Sequence, residues 1–422
     1  MSAIAPLRAL RPQKEYVKAV ASLPYDVVSW EEARQIAAGN SLSYLHVEKS
    51  EIDLPADFPP HDPAIYEKAR ENLDRLVQQE VLFQEKQACF YVYAQGMNGF
   101  WQYGIVGGMS VAEYEAGRIK KHELTRADKE LDRIRHVDRV NAHTGPVFAT
   151  YRARPALDRL VEGVVASPPE YDFVTEDGIA HRVWIIAEER TIDALIGEFA
   201  SVDSLYIADG HHRAAAAAAV ARMRREKHPR RPNAPYENIM AVLFPHNQLK
   251  IMDYNRVVRD LNGLTATGFL ERCSRNFRVS PDFAERSPRA VHEFGLYLGG
   301  RWYKLAAKAD AYDAADPIGR LDVSLLQERL LGPVLAIDDP RTDKRIEFVG
   351  GIRGMEELEK LVDSGAFALA FALYPVTIEQ LMEVADAQLI MPPKSTWFEP
   401  KLRSGIFTHR LSEGPEGDDA CG

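Results

Sequence analysis

The sequence predicts a mixed α/β fold, with the α/β and α+β arrangements both open, and three observations support it. Apolar, β-branched segments alternate with capped amphipathic segments along the chain, which is typical of strands interleaved with helices. The 422 residues are 46% hydrophobic and 27% charged, so there is enough apolar material for a packed core. The length exceeds what one core usually serves, so two or three domains are expected.

The predicted N-terminal lobe, residues 1–110, contains two capped helices and a hairpin. Ser29 and Glu32 form a capping box that starts a helix over residues 30–38. Asp62 caps a second helix, and Pro63 occupies its first turn. Strands are predicted at residues 88–94 and 101–106, joined through a turn at Gly96, Asn98 and Gly99.

The predicted central lobe, residues 111–260, has the densest polar signals. Thr125 with Asp128 predicts the start of a helix whose buried stripe is Leu131, Ile134 and Val137. The other faces of this helix are interpreted as solvated and ion-paired; they carry Lys129, Asp132, Arg133, Arg135, His136 and Arg139. Further elements are helices at residues 191–199 and after Arg213, and strands at residues 182–187, 204–208, 238–244 and 250–258.

The predicted C-terminal lobe, residues 261–411, repeats the alternation. Helices are predicted near residues 266–275, 323–331, 355–363 and 378–385, and strands at residues 293–298, 302–306, 347–351 and 366–373. The tail, residues 412–422, is rich in Gly, Glu and Asp, which predicts disorder.

Charge and cysteine content exclude several classes of protein. The 52 basic and 62 acidic residues give a net charge of -10, which disfavours a protein that coats nucleic acid or an anionic membrane. The longest apolar run, residues 366–374, is too short to span a bilayer. Cys89, Cys273 and Cys421 are widely spaced, which favours reduced thiols and a cytoplasmic location.

The sharpest local feature is the segment LYIADGHHRAAAA, in which an apolar strand leads through a polar turn into a helix. This order places Gly210, His211, His212 and Arg213 at a helix N-terminus, where unpaired N–H groups favour an anion. Asp209 can cap the helix, bind a metal ion or accept a proton. The alternative is a capped helix with two surface histidines, and a zinc site made of these residues alone is disfavoured because adjacent histidines diverge.

A second feature, KKHELTR, precedes the central helix. Lys120, Lys121, His122, Thr125 and Arg126 surround a glutamate, a composition expected where a base works beside anionic oxygens. That glutamate is Glu123. A purely structural role for the loop is equally open. Residues 141–145 contain Asn141, His143, Thr144 and Gly145, which are candidates to close the same site.

A third feature, MPPKSTWFEPKLRSG, is an extended segment stiffened by three prolines. It is interpreted as a lid that brings Lys394 to a phosphate, or as a strap anchored by Trp397 and Phe398. A weaker fourth candidate is Asp343, Lys344 and Arg345 before a strand. The sequence contains no GxxxxGK[ST], HExxH or GxSxG motif, and no dinucleotide fingerprint.

Four separated motifs together resemble the bacterial and archaeal family known as domain of unknown function 1015. They are SLPYDVVS, IKKHELTRADKELDR, YIADGHHRAAAA and MPPKSTWFEPKLRSG, and the resemblance extends from about residue 6 to residue 411. The DGHHR turn is also similar to that of free serine kinases of the ParB/sulfiredoxin superfamily. The resemblance implies a ParB/sulfiredoxin-like core elaborated by additional mixed α/β lobes.

The same resemblance implies a phosphotransferase that makes O-phospho-L-serine from free L-serine for cysteine or related biosynthesis. The donor presents a diphosphate: pyrophosphate is favoured, and ADP and ATP stay open. Expected partners are these small molecules, with Mg²⁺ as cofactor and without nucleic acid, membrane, haem, flavin or nicotinamide. Sulfiredoxins carry a reactive cysteine where this turn has His211, so sulfinic acid repair is disfavoured.

Site roles follow from the needs of phosphoryl transfer, which are positioning and charge neutralisation. The expected catalytic residues are Glu123, Asp209 and His212, with Glu123 preferred as the base and Asp209 as the metal contact. The expected donor-binding residues are Lys120, Lys121, His122, Thr125, Arg126, Gly210, His211, Arg213 and Lys394. A phosphohydrolase or nuclease using the same pocket, and a non-catalytic nucleotide-binding regulator, are the alternatives.

Overall fold

The computed structural model describes residues 4–227 and 234–412 and has the mixed α/β class that the sequence predicts. The chain forms two compact units, one of residues 1–249 with 400–422, the other of residues 250–399. The tail predicted to be disordered is residues 412–422, and all of it except residue 412 lies outside the described residues.

The first unit contains most of the predicted sites. Its strands up to residue 249 are β1 (Ile4–Ala5), β2 (Leu10–Pro12), β3 (Leu82–Gln84), β4 (Phe90–Met97), β5 (Phe100–Ser110), β6 (Ile119–Lys120), β7 (Ala142–His143), β8 (Val147–Tyr151), β9 (Tyr171–Val174), β10 (Ala180–Ile186), β11 (Leu205–Asp209) and β12 (Asn238–Pro245). Its helices are α1 (Val17–Val20), α2 (Trp30–Ala37), α3 (Leu45–Glu48), α4 (Pro63–Gln78), α5 (Val111–Glu115), α6 (Ala127–Val140), α7 (Pro155–Val165), α8 (Glu189–Phe199) and α9 (His211–Lys227).

Within the described residues, the largest sheet has nine strands. Its order is β6-β11-β8-β12-β5-β4-β10-β9, with β1 paired to β5. β11 runs parallel to β6 and antiparallel to β8. Strands from residues 1–110 and 111–249 therefore share one sheet. The division into three lobes stays a prediction, but the first two have a common sheet.

Helix α9 follows β11 directly and is buried along most of its length. Its residues 214–221, six alanines followed by Val220 and Ala221, all lie in the core. Helices that are apolar all round are typical of protein interiors. The small side chains allow close packing, and several of them join the apolar cluster that contains Ile207 of β11. This packing fixes the N-terminus of α9 at the end of β11.

Most elements predicted for the first unit are confirmed because their signals are local. Ser29 and Glu32 form the capping box of α2, and Asp62 caps α4 through the Ala64 N–H. The turn of the β4–β5 hairpin contains fewer residues than predicted. Asn98 and Gly99 have φ values of 51° and 79°, as a two-residue turn requires, whereas Gly96 lies within β4.

The prediction for α6 was wrong in its cap and in part of its buried face. Arg126 is the N-cap, and Thr125 donates a hydrogen bond to Glu130 instead. Leu131 is 47% exposed, whereas Arg133 and His136 are buried. The reason is tertiary, because polar groups from distant parts of the first unit face α6 and bury its charged side.

The second unit has its own elements. They are β13 (Ile251–Met252), β14 (Tyr254–Val258), β15 (Phe277–Pro281), β16 (Glu293–Leu298), β17 (Arg301–Ala307), β18 (Ile346–Gly350), β19 (Leu369–Leu373) and β20 (Trp397–Phe398), with α10 (Ala266–Cys273), α11 (Asp322–Leu326), α12 (Gly354–Asp363) and α13 (Ile378–Asp386). Six of these strands form a sheet of order β15-β17-β16-β19-β14-β18 among the described residues. After this unit, β21 (His409–Arg410) pairs with β7 in the first unit.

The weaker candidate at residues 343–345 has a structural explanation in the second unit. The Arg345 guanidinium binds the Asp343 carboxylate and the carbonyls of Leu335 and Ala336, so these charges hold a turn. In the described part of the chain, no helix combines the length and apolar character needed to cross a membrane. Cys89 and Cys273 are free and buried, whereas Cys421 lies outside the described residues.

Candidate functional site

The strand–turn–helix predicted at Asp209 is present, and glycine is required at its turn. Gly210 has φ of +89°, and a Cβ there would lie 3.0 Å from the guanidinium of Arg213. The chain enters α9 at His211, so the first N–H groups of a 17-residue helix lie beside this turn. The positive end of the helix dipole makes the turn a suitable place for an anion.

The Asp209 carboxylate is held from two sides. Its Oδ1 accepts a hydrogen bond from the Gly210 N–H at 2.8 Å, and its Oδ2 lies 3.1 Å from Nζ of Lys401. Burial alone would raise the pKa of Asp209, but the ammonium of Lys401 and the guanidinium of Arg213 outweigh it and hold the pKa below normal. Asp209 is therefore a carboxylate at neutral pH.

The KKHELTR loop lies against the same helix terminus. The Glu123 carboxylate is half-exposed, and its Oε2 lies 3.7 Å from Nδ1 of His211. The rings of His122 and His211 meet edge to face, with centroids 4.6 Å apart. The backbone N–H of Arg126 donates to Nε2 of His212 at 3.0 Å. The two sequence motifs, 86 residues apart, thus form one site.

The three histidines of this site are held neutral. Burial lowers the pKa of His122 to about 4. Burial and the neighbouring His122 place the pKa of His211 well below its ordinary value, and burial also lowers the pKa of His212. A neutral imidazole has one N–H and one lone pair, so each ring can donate one hydrogen bond and accept another.

The other basic residues predicted to bind phosphate have contacts of their own. The Arg126 guanidinium pairs with Asp128 and is exposed. The ammonium groups of Lys120 and Lys121 lie 5.7 and 5.0 Å from the rings of Tyr206 and Tyr114. Lys394 belongs to the second unit, where its ammonium lies 5.7 Å from the ring of Tyr254. Phosphate-binding roles for these four residues stay predictions.

The structure adds a polar cavity that sequence reasoning missed. It is lined by apolar side chains and by Tyr25, Glu48, Arg133, His136, Thr144 and Arg213. Arg213 connects it to the Asp209 turn. Of the residues expected to close the site, Thr144 and its neighbours His143 and Gly145 line this cavity, whereas Asn141 binds Arg224 and Ser412.

The charges in this cavity are buried and of both signs. The Arg133 guanidinium lies 4.1 Å from the Tyr25 ring centre and binds the neighbouring Asp132 at 2.6 Å. Burial raises the pKa of Glu48 against the opposing effect of Arg133. Within the described residues, Glu48 Oε1 has no hydrogen-bond partner. Buried polar atoms are usually satisfied, so a water molecule or a polar group of a ligand is expected to complete the hydrogen bonding of this oxygen.

The C-terminal motif spans the boundary between the two units. Its first part, with β20, lies in the second unit, and its last part, with Lys401 and Arg403, lies in the first. Arg403 binds Asp177 and Thr175, which anchors this end of the motif in the first unit. Lys401 of this motif contacts Asp209, which lies 192 residues away in the sequence, and no sequence pattern predicts that contact.

Comparison with known proteins agrees with the motifs. A family model described as a protein of unknown function, DUF1015, matches residues 4–324. The chain belongs to the DUF1015 family. The family inferred from the motifs is thereby confirmed, and the matched range contains the first three motifs but ends before the fourth, at residues 391–405. No curated protein matches this DUF1015 chain.

Solved structures similar to this DUF1015 chain include three proteins at low sequence identity. A free serine kinase in complex with AMP is 14% identical, covers 73% of this chain and 91% of its own, and has a TM-score of 0.36. A conserved hypothetical protein from Pyrococcus furiosus is 14% identical, with coverages of 72% and 94% and a TM-score of 0.34. SbnI with a C-terminal truncation, from Staphylococcus aureus, is 10% identical, with coverages of 70% and 82% and a TM-score of 0.36. Similarity at this level carries no inference about activity.

Proposed function

We propose that this chain is a phosphotransferase that converts free L-serine into O-phospho-L-serine, for cysteine or related biosynthesis. The observation that carries the proposal is the position of Glu123, a half-exposed carboxylate 3.7 Å from His211 at the N-terminus of α9. An anion-binding helix terminus beside a carboxylate base is the pair of groups that phosphoryl transfer to a hydroxyl requires. The choice of serine rests on the family resemblance.

The phosphate donor would bind at the turn between β11 and α9. The N–H groups of the first helical turn and the Arg213 guanidinium supply positive potential there. Lys120, Lys121, Arg126 and Lys394 are proposed as further contacts. Pyrophosphate is the favoured donor, with ADP or ATP as the others, since all present a diphosphate to this turn.

In the reaction, the serine hydroxyl oxygen attacks the terminal phosphorus while the bond to the leaving phosphate breaks. Glu123 orients the hydroxyl and accepts its proton, and His212 is held by the Arg126 N–H beside the same turn. Asp209 keeps unused lone pairs beyond its contacts with Gly210 and Lys401, so it can also contact a cation. Mg²⁺ bound to the donor would neutralise charge on the phosphate oxygens.

The polar cavity is proposed to bind the charged groups of an amino-acid acceptor. Its volume of about 20 Å³ is close to that needed by one water molecule, so the cavity has to widen when the acceptor binds. An amino acid carries one ammonium and one carboxylate, and the cavity presents the unpaired Glu48 oxygen together with the guanidinium groups of Arg133 and Arg213. Arg213 lies between this cavity and the donor turn. An acceptor bound there would place its side chain towards the turn.

The proposal is tested by incubating the protein with L-serine, Mg²⁺ and each donor separately, and detecting phosphoserine by mass. Glu123→Gln should abolish product while leaving donor binding within about twofold, because a general base contributes to the chemical step rather than to donor affinity. Glu189→Gln, an exposed acid at the start of α8, is the matched control. Full activity of Glu123→Gln would overturn the assignment of the base.

Two other outcomes would replace the proposal. Release of phosphate from the donor at the same rate with and without serine would indicate a phosphohydrolase. Tight nucleotide binding with no product after long incubation would indicate a regulatory binding protein.

A further inference from the structure

His122, Glu123 and His211 bring three metal-binding side chains to one point of the first unit. One ligand atom from each lies within 4.8 Å of the others. His122 is 2% exposed and His211 is 4% exposed, whereas Glu123 reaches solvent. The buried imidazoles are thus fixed, and the carboxylate is the adaptable member on the open side.

The buried histidines have unused ring nitrogens. Among the described residues, neither ring nitrogen of His122 has a hydrogen-bond partner, and neither does Nε2 of His211. A backbone group of Ile207 lies close enough to favour a proton on His122, without reaching hydrogen-bond geometry. Leaving buried polar atoms unpaired costs free energy, and the edge-to-face ring contact does not satisfy them.

We propose that His122, Glu123 and His211 form a binding site for a divalent transition-metal ion of the Zn²⁺ type. Two imidazoles and one carboxylate are a ligand set that zinc accepts, with a fourth position open to water. Mg²⁺ prefers oxygen ligands, so the same set discriminates against it. In a tetrahedral zinc site the ligand atoms lie roughly 3.3 Å apart, so the three side chains, whose ligand atoms lie within 4.8 Å of one another, have to draw together on binding.

This site has a consequence for the activity, and that part rests on the proposed function. Glu123 cannot accept the proton of serine while its carboxylate is bound to Zn²⁺. Zn²⁺ would therefore inhibit phosphoserine formation in the presence of saturating Mg²⁺, and a stronger chelator would restore it.

The binding itself is tested without any activity measurement. The full-length, metal-free protein, with thiols alkylated, is titrated with Zn²⁺ against a chromophoric chelator in excess Mg²⁺. The visible absorption of the Co²⁺-loaded protein reports nitrogen and oxygen ligands. Wild type should bind Zn²⁺ at this site, and His122→Asn and Glu123→Gln should each weaken binding at least about tenfold. His61→Gln, which changes an exposed histidine paired with Asp132, should leave Zn²⁺ affinity unchanged.

The outcomes separate the metal site from the proposed function. If Zn²⁺ does not bind, or binds equally well to both variants, the metal site is refuted whatever the enzyme does. Glu123→Gln changes an exposed side chain, so it gives a result even if His122→Asn fails to fold. Zn²⁺ binding without any phosphoserine formation would keep the metal site and overturn the proposed reaction.

Discussion

Replacing Lys401 by Met removes the ammonium that lies 3.1 Å from the Asp209 carboxylate. At this distance, Coulomb's law with an effective dielectric constant of about 20 gives roughly 5 kcal/mol of attraction. Desolvation offsets much of it, so the net loss should be about 2 kcal/mol, as for a hydrogen bond between charged groups. The guanidinium of Arg213 remains near Asp209 and limits the loss.

The loss is measured by hydrogen exchange of the peptide covering residues 205–227, which reports opening of β11 and α9. A change of about 2 kcal/mol corresponds to roughly thirtyfold faster exchange when opening is at equilibrium. In an Asp209→Asn background, Lys401→Met should lower the free energy of opening much less, because the carboxylate that pairs with Lys401 is absent. Equal costs in the two backgrounds would refute the pairing of Lys401 with Asp209.

This pair also has a pH dependence with a defined sign. The pKa of Asp209 is lower in the folded than in the unfolded protein, so its contribution to stability is present above the unfolded pKa of about 3.9 and is lost as pH falls further. Lys401→Met should raise the pKa of Asp209 in the folded protein, so the variant should lose less stability than wild type when the pH falls. Unchanged acid sensitivity in the variant would contradict the assigned cause.

Gly210→Ala should destabilise the first unit by about 1 to 2 kcal/mol, because φ is +89° and the new Cβ lies against Arg213; donor affinity should fall with it. Gly197 lies on the exposed side of α8 with open space around it, so Gly197→Ala should instead stabilise the protein by up to about 1 kcal/mol. If thermal melts show Gly210→Ala to be as stable as Gly197→Ala, glycine is not required at the turn. Burial lowers the pKa of His181 to about 3 in the folded protein, so the unfolded chain takes up a proton there first and the free energy of unfolding falls below pH 6.5. Between pH 7 and pH 5 the free energy of unfolding of wild type should drop by about 2 kcal/mol relative to that of His181→Phe. Hydrogen exchange of residues 180–186 measures this difference. A constant difference would exclude this histidine as a cause of acid sensitivity. Glu48→Gln should raise KM for serine while leaving donor affinity unchanged, and an unaltered KM would remove Glu48 from the acceptor site.

The sequence predicted those features whose physical cause is local. The capping box at Ser29 and the strand–turn–helix at Gly210 depend on a few adjacent residues, so their patterns are readable. The proximity of Glu123 to His211 was expected because the phosphoryl transfer that the family resemblance implies needs a base beside the bound phosphate.

Features decided by tertiary contacts could not be predicted in the same way. Helical spacing placed Leu131 in the core, whereas the contact of Arg133 with the Tyr25 ring determines which side of α6 is buried. The cavity at Glu48 has no sequence motif, because its members come from α3, α6, α9 and the strands and loops around them. The pairing of Lys401 with Asp209 joins distant residues whose spacing carries no information.

The central claim is that the hydroxyl oxygen of serine attacks the donor phosphorus with Glu123 as base. L-serine labelled with ¹⁸O in its hydroxyl group tests it directly, with Mg²⁺ and pyrophosphate, ADP or ATP as donor. Wild type should form phosphoserine that retains the label, and Glu123→Gln should form none. Phosphate release without labelled phosphoserine, for every donor, would contradict it.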